Sequence, residues 1–227
     1  MEVTSKDLMR WAESISALAV TGLGFSENLY ERERYEEILK VAAEIRVASN
    51  GDGEGYVSAD IDPDALYGMW ISRVGSGVQG YVTPKVSVAA VVRNDAKEIL
   101  LIQRGDSGVW LYPTGWADVG YSPSEVVVKE VREETGVAVD VVGVLAVLDG
   151  MRSGFTSIPM YSIVFLCQYR SGEIDRHPLE TRDAGWFSLD ALPSPIPDIK
   201  KRVPGLTEAV ELGKVVKTYF DPVREEM

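Results

Sequence analysis

"GWADVGYSPSEVVVKEVREETGV", Gly115 to Val137, is the stretch on which the reading of this chain turns. A loop framed by Gly115 and Gly120 leads through Pro123 into residues of helical spacing, Ser124 to Thr135, that stop at Gly136. On a helix of about 3.6 residues per turn, Glu130, Glu133 and Glu134 fall within an arc of roughly 100°, while Lys129 and Arg132 point elsewhere. Val127 and Val131 lie one turn apart beside that arc, which lets the helix pack on a core with its acidic edge at the margin. Like charges so placed repel one another and favour a hard cation that neutralises them. The plainer alternative is a solvated charged face, common on glutamate-rich helices.

Composition narrows the chemistry. The 227 residues are 45% hydrophobic, and no apolar run approaches the ~18 residues of a membrane span, so the chain reads as soluble and globular. The start, "MEVTSKDLMRW", lacks the basic and apolar blocks of a secretory signal, which points to the cytoplasm. Cys167 is the only cysteine, so intramolecular disulfides and cysteine-rich zinc sites are excluded, and its neighbours in "IVFLCQY" suggest a buried strand. His177 is also alone, between Arg176 and Pro178, which suggests a loop and excludes a polyhistidine site. A net charge of -12 argues against a duplex nucleic-acid surface but not against a small phosphorylated substrate met through a bound cation.

Three regions follow from the pattern. Residues 1–48 read as a helical hairpin: Leu8, Trp11, Ile15 and Leu18 recur at helical spacing over 4–21, and Tyr35, Ile38, Leu39 and Ala42 over 28–48, with "TGLGFSE" as the turn. Two such stripes expose more apolar surface than two helices hide between themselves, so the hairpin packs either on the rest of its own chain or on a second subunit, and a homodimer through it is the expectation. Residues 49–84 form a glycine-rich connector with one short helical piece at its centre. From 85 to 227, the β-branched runs "VSVAAVV", "ILLIQR", "VAVDVVGVLAVL" and "YSIVFLCQY" read as strands of a buried sheet, and a further helix is expected near Thr207–Tyr219. Strands and helices intermingle as in a sheet covered by helices.

The loop and helix together resemble the Nudix box, a glycine loop leading to a helix that ends Arg-Glu-aliphatic-x-Glu-Glu-x-Gly-aliphatic. Gly115, Gly120, Glu130, Val131, Glu133, Glu134, Gly136 and Val137 match at the family's spacing. The N-terminal helices, "TPKVSVAAVV" and "GWADVGYSPSEVVVKEV" resemble a subgroup that hydrolyses nucleoside diphosphates linked to another group X, some preferring CDP-choline or ADP-ribose. The resemblance implies an α/β fold, the α/β/α sandwich around a mixed sheet, preceded by a helical hairpin, and a commonly dimeric assembly. It also implies metal-dependent cleavage of the diphosphate to a nucleoside monophosphate and phospho-X.

The same resemblance supplies roles. Glu130 and Glu134 become principal ligands of Mg²⁺, or of Mn²⁺ in its place. Glu133 shares a ligand or water-activating role, and the Gly115 carbonyl joins them. Glu180, six residues before Trp186, matches a later loop acid that ligates the metal or acts as general base, with Asp183 in reserve; the plain reading is a surface acid. Trp110, Phe155 and Tyr161 are candidates for stacking on a nucleobase, against the plainer reading as core, and Arg104 is a candidate substrate contact. Departures are specific: Thr114 stands where the family pairs its glycines, Tyr121 replaces the loop's second acid, and Lys129 replaces the helix arginine, in what reads as a matched change. Ser87 and Ala89 replace an acid and an arginine of the subgroup. The competing functions are a Nudix-fold nucleotide sensor without turnover and, against the acidic charge, cleavage of RNA ends.

Overall fold

A computed structural model describes residues 3–49, 62–72, 74, 83–118, 121–156 and 158–224. The chain divides into two compact units, Met1–Pro84 with Gly150–Pro159, and Lys85–Asp149 with Met160–Met227.

The first unit is helical. Helix α1, Ser5–Phe25, starts at a reciprocal cap in which the Thr4 hydroxyl accepts from the Asp7 N–H while the Asp7 carboxylate accepts from the Thr4 N–H. Helix α2, Leu29–Ala48, starts at Asn28, whose side-chain oxygen accepts from the Tyr30 N–H. Helix α3, Pro63–Ile71, occupies the centre of the expected connector; most of the connector's flanks lie outside the described residues. Ala19, Leu23, Leu39, Ala42, Ala43, Leu66 and Trp70 form the unit's core. Arg46 and Glu13 form a buried ion pair between α1 and α2, 3.5 Å apart. The expected turn "TGLGFSE" is wrong at its start, because α1 continues to Phe25. A Cβ at Gly22 would overlap the Tyr35 ring, so this glycine permits close helix packing rather than ending the helix.

The second unit holds eight strands among its described residues: β1 Lys85–Arg93, β2 Ile99–Arg104, β3 Trp110–Leu111, β4 Thr114–Trp116, β5 Ala138–Asp149, β6 Met160–Ser171, β7 Thr181–Phe187 and β8 Tyr219–Phe220. They form one mixed sheet of order β3-β2-β1-β6-β5-β8, with β4 paired to β1 and β7 to β2. The β1–β6 and β5–β8 pairs are parallel. Helix α4, Pro123–Thr135, is capped by Ser122 and Glu125 and buries Val126, Val127 and Val131 against Val88, Ala90, Val92, Phe165 and Cys167 of the sheet. Short helices α5, Ile199–Arg202, and α6, Leu206–Leu212, contribute buried Ile199, Leu206, Ala209 and Val210. The helix expected to reach Tyr219 therefore ends early. Gly213 takes a left-handed conformation at its C-terminus, φ 66°, and Tyr219–Phe220 joins the sheet instead. Among the described residues no helix is long and apolar enough to cross a membrane.

Candidate active site

Strand alternation and helix periodicity meet at β4 and α4. Gly115 stands opposite Val88 of β1 on the sheet face that α4 covers. An added Cβ at Gly115 would overlap the Glu130 carboxyl group, so a glycine is what lets the carboxylate lie against the strand backbone. One turn further along α4, Glu134 is buried, and its carboxylate accepts from the Thr114 N–H at 3.1 Å. Thr114 is not among the described non-glycine residues with positive φ, so the missing second glycine leaves no strain. Its hydroxyl donates to the Val88 carbonyl at 2.9 Å.

Electrostatics mark this pair of carboxylates. Burial pushes the Glu134 carboxyl up to about 8, with the charges of Glu130 and Glu180 adding to the rise and the Thr114 hydrogen bond and Arg104 opposing it. Glu130 is raised as well, first by burial and then by the charge of Glu133. Glu133 itself sits at the rim, more than half exposed and 3.8 Å from Lys129. The helical arc therefore brings Glu130 and Glu134 together and turns Glu133 outward. Among the described residues no three acidic, histidine or cysteine side chains already converge as a cage.

Glu180 reaches this neighbourhood from the loop just before β7. The Asp175 N–H donates to the Thr135 carbonyl at 2.9 Å and the His177 N–H to the Glu134 carbonyl at 3.2 Å, which ties the loop to the end of α4. The Gly105 N–H then donates to the Glu180 carbonyl at 2.6 Å, and the Arg182 guanidinium donates twice to the Gly105 carbonyl, at 2.9 and 2.7 Å. Arg104, on the same turn, is held by Asp106 through two hydrogen bonds of 3.1 and 2.9 Å and feels the charges of Glu134 and Glu180. His177, Arg182 and Asp106 carry no motif, and only their spatial pairing reveals them.

The matched departures pair with one another. Lys129 Nζ donates to Asp118 at 2.6 Å and lies 6.0 Å from the centre of the Tyr121 ring. One lysine thus ties both ends of the loop to the carboxylate helix. Of the aromatic candidates, Trp110 is buried and edge-on to Phe187 at 5.1 Å, which makes it core rather than a stacking surface. Tyr161 is exposed on β6 opposite Val86, and Phe155 falls in Gly150–Pro159, part of the helical unit. Asp183 pairs with Gln103 across β7 and β2, and its carboxylate accepts from the Ala184 N–H. Cys167 is buried and its thiol is pushed up to about 12 by burial, which removes it as a nucleophile.

Comparison with known proteins gives the family. A family profile described as NUDIX domain matches residues 83–208, more than half of the chain. The chain belongs to the Nudix family. It is thus a Nudix-type hydrolase with the α/β/α sandwich of that fold. A second profile, described as a UDP-X-like N-terminal oligomerisation domain, matches residues 6–53. The chain is 35% identical over 195 residues to the candidate ADP-ribose pyrophosphatase YjhB of Bacillus subtilis (strain 168), covering 85% of this chain and 86% of that protein. Among solved structures it is similar to a UDP-X diphosphatase, at 27% identity and a TM-score of 0.54, covering 96% of this chain and all (100%) of the other. It is also similar to an ADP-ribose pyrophosphatase of Streptococcus suis, at 35% identity and a TM-score of 0.51, covering 61% of this chain and 100% of that one.

Proposed function

We propose that this Nudix hydrolase cleaves the diphosphate of a nucleoside diphosphate-X, of the CDP-choline, ADP-ribose or UDP-X kind, with a divalent cation. Water adds across the bond to give a nucleoside monophosphate and phospho-X. The observation that carries the reading is the juxtaposition of Glu130 and Glu134 against Gly115, with Glu180 and Arg104 within electrostatic reach. The donor set suits Mg²⁺, or Mn²⁺ in its place: two carboxylates and the Gly115 carbonyl are hard oxygen ligands, and a bound cation would ionise the Glu134 carboxyl, which burial otherwise keeps protonated up to about 8. Glu130 and Glu134 would hold the metal, with Glu133 supporting them from the rim. When bound, the cation supplies charge neutralisation at the phosphates and acidifies a water.

The chain's own groups do the rest. Arg104 binds and orients a phosphate oxygen, its fork released from Asp106 as the substrate arrives. The Glu180 carboxylate takes the proton of the attacking water, Asp183 being the reserve for this role. Lys129 holds Asp118 and Tyr121 against α4. The helical unit, by this reading, joins two copies of the chain. Leu18, Phe25, Leu29, Tyr30 and Val41 are all more than half exposed, and the similarity of residues 6–53 to an oligomerisation domain supports the assignment.

The test is a panel of CDP-choline, ADP-ribose and UDP-sugars with Mg²⁺ or Mn²⁺, read for monophosphate by chromatography. Release that requires the cation is expected from at least one compound. Metal-dependent binding without product across the panel would replace the hydrolase reading by that of a nucleotide sensor.

A further inference from the structure

We propose that Trp116 and the strand face around it form the nucleobase subsite, an inference that rests on the reading of the neighbouring carboxylates as the cleavage site. Strand register places the pieces. Ser87 on β1 stands opposite Trp116 on β4 and opposite Ser162 on β6, and residues paired in this way share one face of a sheet. Lys85 lies two residues before Ser87 on that face, and its ammonium sits over the Trp116 ring, 5.2 Å from the centroid.

Three features there point to a ligand. Trp116 is 46% exposed, although an indole is among the largest apolar groups a chain can bury. Ser87 is only 4% exposed, yet its hydroxyl has no hydrogen-bond partner among the described residues, an arrangement that costs free energy until a partner arrives. Lys85 supplies a positive charge beside the ring in a chain of net charge -12. A half-exposed indole, an unpaired hydroxyl on the same face and a displaceable cation over the ring match a flat heteroaromatic ring with a polar edge attached to an anion. A nucleobase carrying a phosphate has all three; a sugar phosphate or an alkylammonium head group has no such ring.

Position completes the argument. Trp116 directly follows Gly115, and alternation along β4 sends Gly115 toward Glu130 and Trp116 to the opposite face. Among the described strands β4 pairs with β1 alone, so its second edge carries no strand. A nucleotide bent around that edge stacks its base on Trp116 while its diphosphate lies toward Glu130 and Glu134. The Lys85 ammonium leaves the ring as the base arrives and remains a neighbour for its phosphate.

The test reads binding without turnover. The full chain, in EDTA, is titrated calorimetrically with CMP, UMP, AMP and ribose 5-phosphate, and the titrations are repeated with Trp116→Leu and Trp116→Phe. At least one monophosphate should bind the unaltered chain, and bind Trp116→Leu more weakly by on the order of tenfold, as loss of an aromatic stacking platform predicts. Trp116→Phe should fall between, and ribose 5-phosphate should not distinguish the three. Equal monophosphate binding by all three proteins, or no preference of the unaltered chain for a monophosphate over ribose 5-phosphate, overturns the proposal. Trp116→Phe retains a ring and keeps the comparison valid if the leucine variant unfolds. A chain that binds nucleotide through Trp116 yet cleaves nothing would refute the hydrolase reading and support this one. A chain that cleaves with KM unchanged in both variants would do the reverse.

Discussion

Glu134 lies where two demands conflict: its position on α4 buries it, and its chemistry sets it beside Glu130. The result is a carboxyl raised from an ordinary 4.5 to about 8. Because the folded state then holds a proton that the unfolded state releases, the metal-free protein has its full share of this stability below pH 4.5 and loses it as pH rises toward about 8. Thermal melts in EDTA should therefore give a Tm that falls over that window, and Glu134→Gln, which has no proton to lose, should flatten the fall. Added Mg²⁺ should raise the Tm of the unaltered chain most at the alkaline end, by mass action on the folded state. A melt series in which Glu134→Gln and the unaltered chain track one another across pH would contradict this account. The glutamates were legible in the sequence because helical period alone places them on one edge. That Glu133 turns to the rim while Glu134 is buried was not legible, since an arc of about 100° does not say which of its residues faces the sheet.

At the scale of elements, the site is a strand, a helix and two loops held in register by side chains outside the motif. Lys129 ties the entry loop to α4 through Asp118 and Tyr121. Lys129→Ala should lower kcat/KM by about 10–100-fold, the usual cost of removing a partner that orients metal ligands, and Lys129→Arg should restore most of it. Steady-state kinetics of the two variants check this; unchanged activity in Lys129→Ala would show the contact to be incidental. Elements with strong local patterns were readable: α4 from its period, and β1, β2, β5 and β6 from β-branched runs. Strand β7 escaped because "TRDAGWF" is charged at one end and takes its strand form from pairing with β2. The end of α6 was misplaced because Gly213 and the pairing of Tyr219–Phe220 with β5 are settled by tertiary contact. Gly22 misled in the opposite direction, its absent side chain serving Tyr35 rather than a turn.

For the whole molecule, the helical unit presents Leu18, Phe25, Leu29 and Tyr30 to solvent. If these residues join two chains, light scattering should report about twice 24.9 kDa, and Leu18→Glu with Leu29→Glu should give the single-chain mass without loss of helix content. A single-chain mass for the unaltered protein at micromolar concentration would contradict it. The family was legible from one helix and one loop, whereas the substrate was not. Base and X group are chosen by surfaces such as the Trp116 face, which is assembled from β1, β4 and β6 and carries no contiguous signature. The central claim is that Glu130 and Glu134 make this chain a metal-dependent diphosphate hydrolase, and the most direct measurement compares the unaltered chain with Glu134→Gln by phosphorus NMR of whichever panel compound is cleaved. With Mg²⁺ the unaltered chain should convert the diphosphate into equal amounts of nucleoside monophosphate and phospho-X. The variant should retain its fold and turn over more slowly by at least ~10²-fold, since even outer partners of a metal site are worth about 10–100-fold. Near-normal turnover by Glu134→Gln, or turnover by the unaltered chain that persists undiminished in EDTA, would contradict the account.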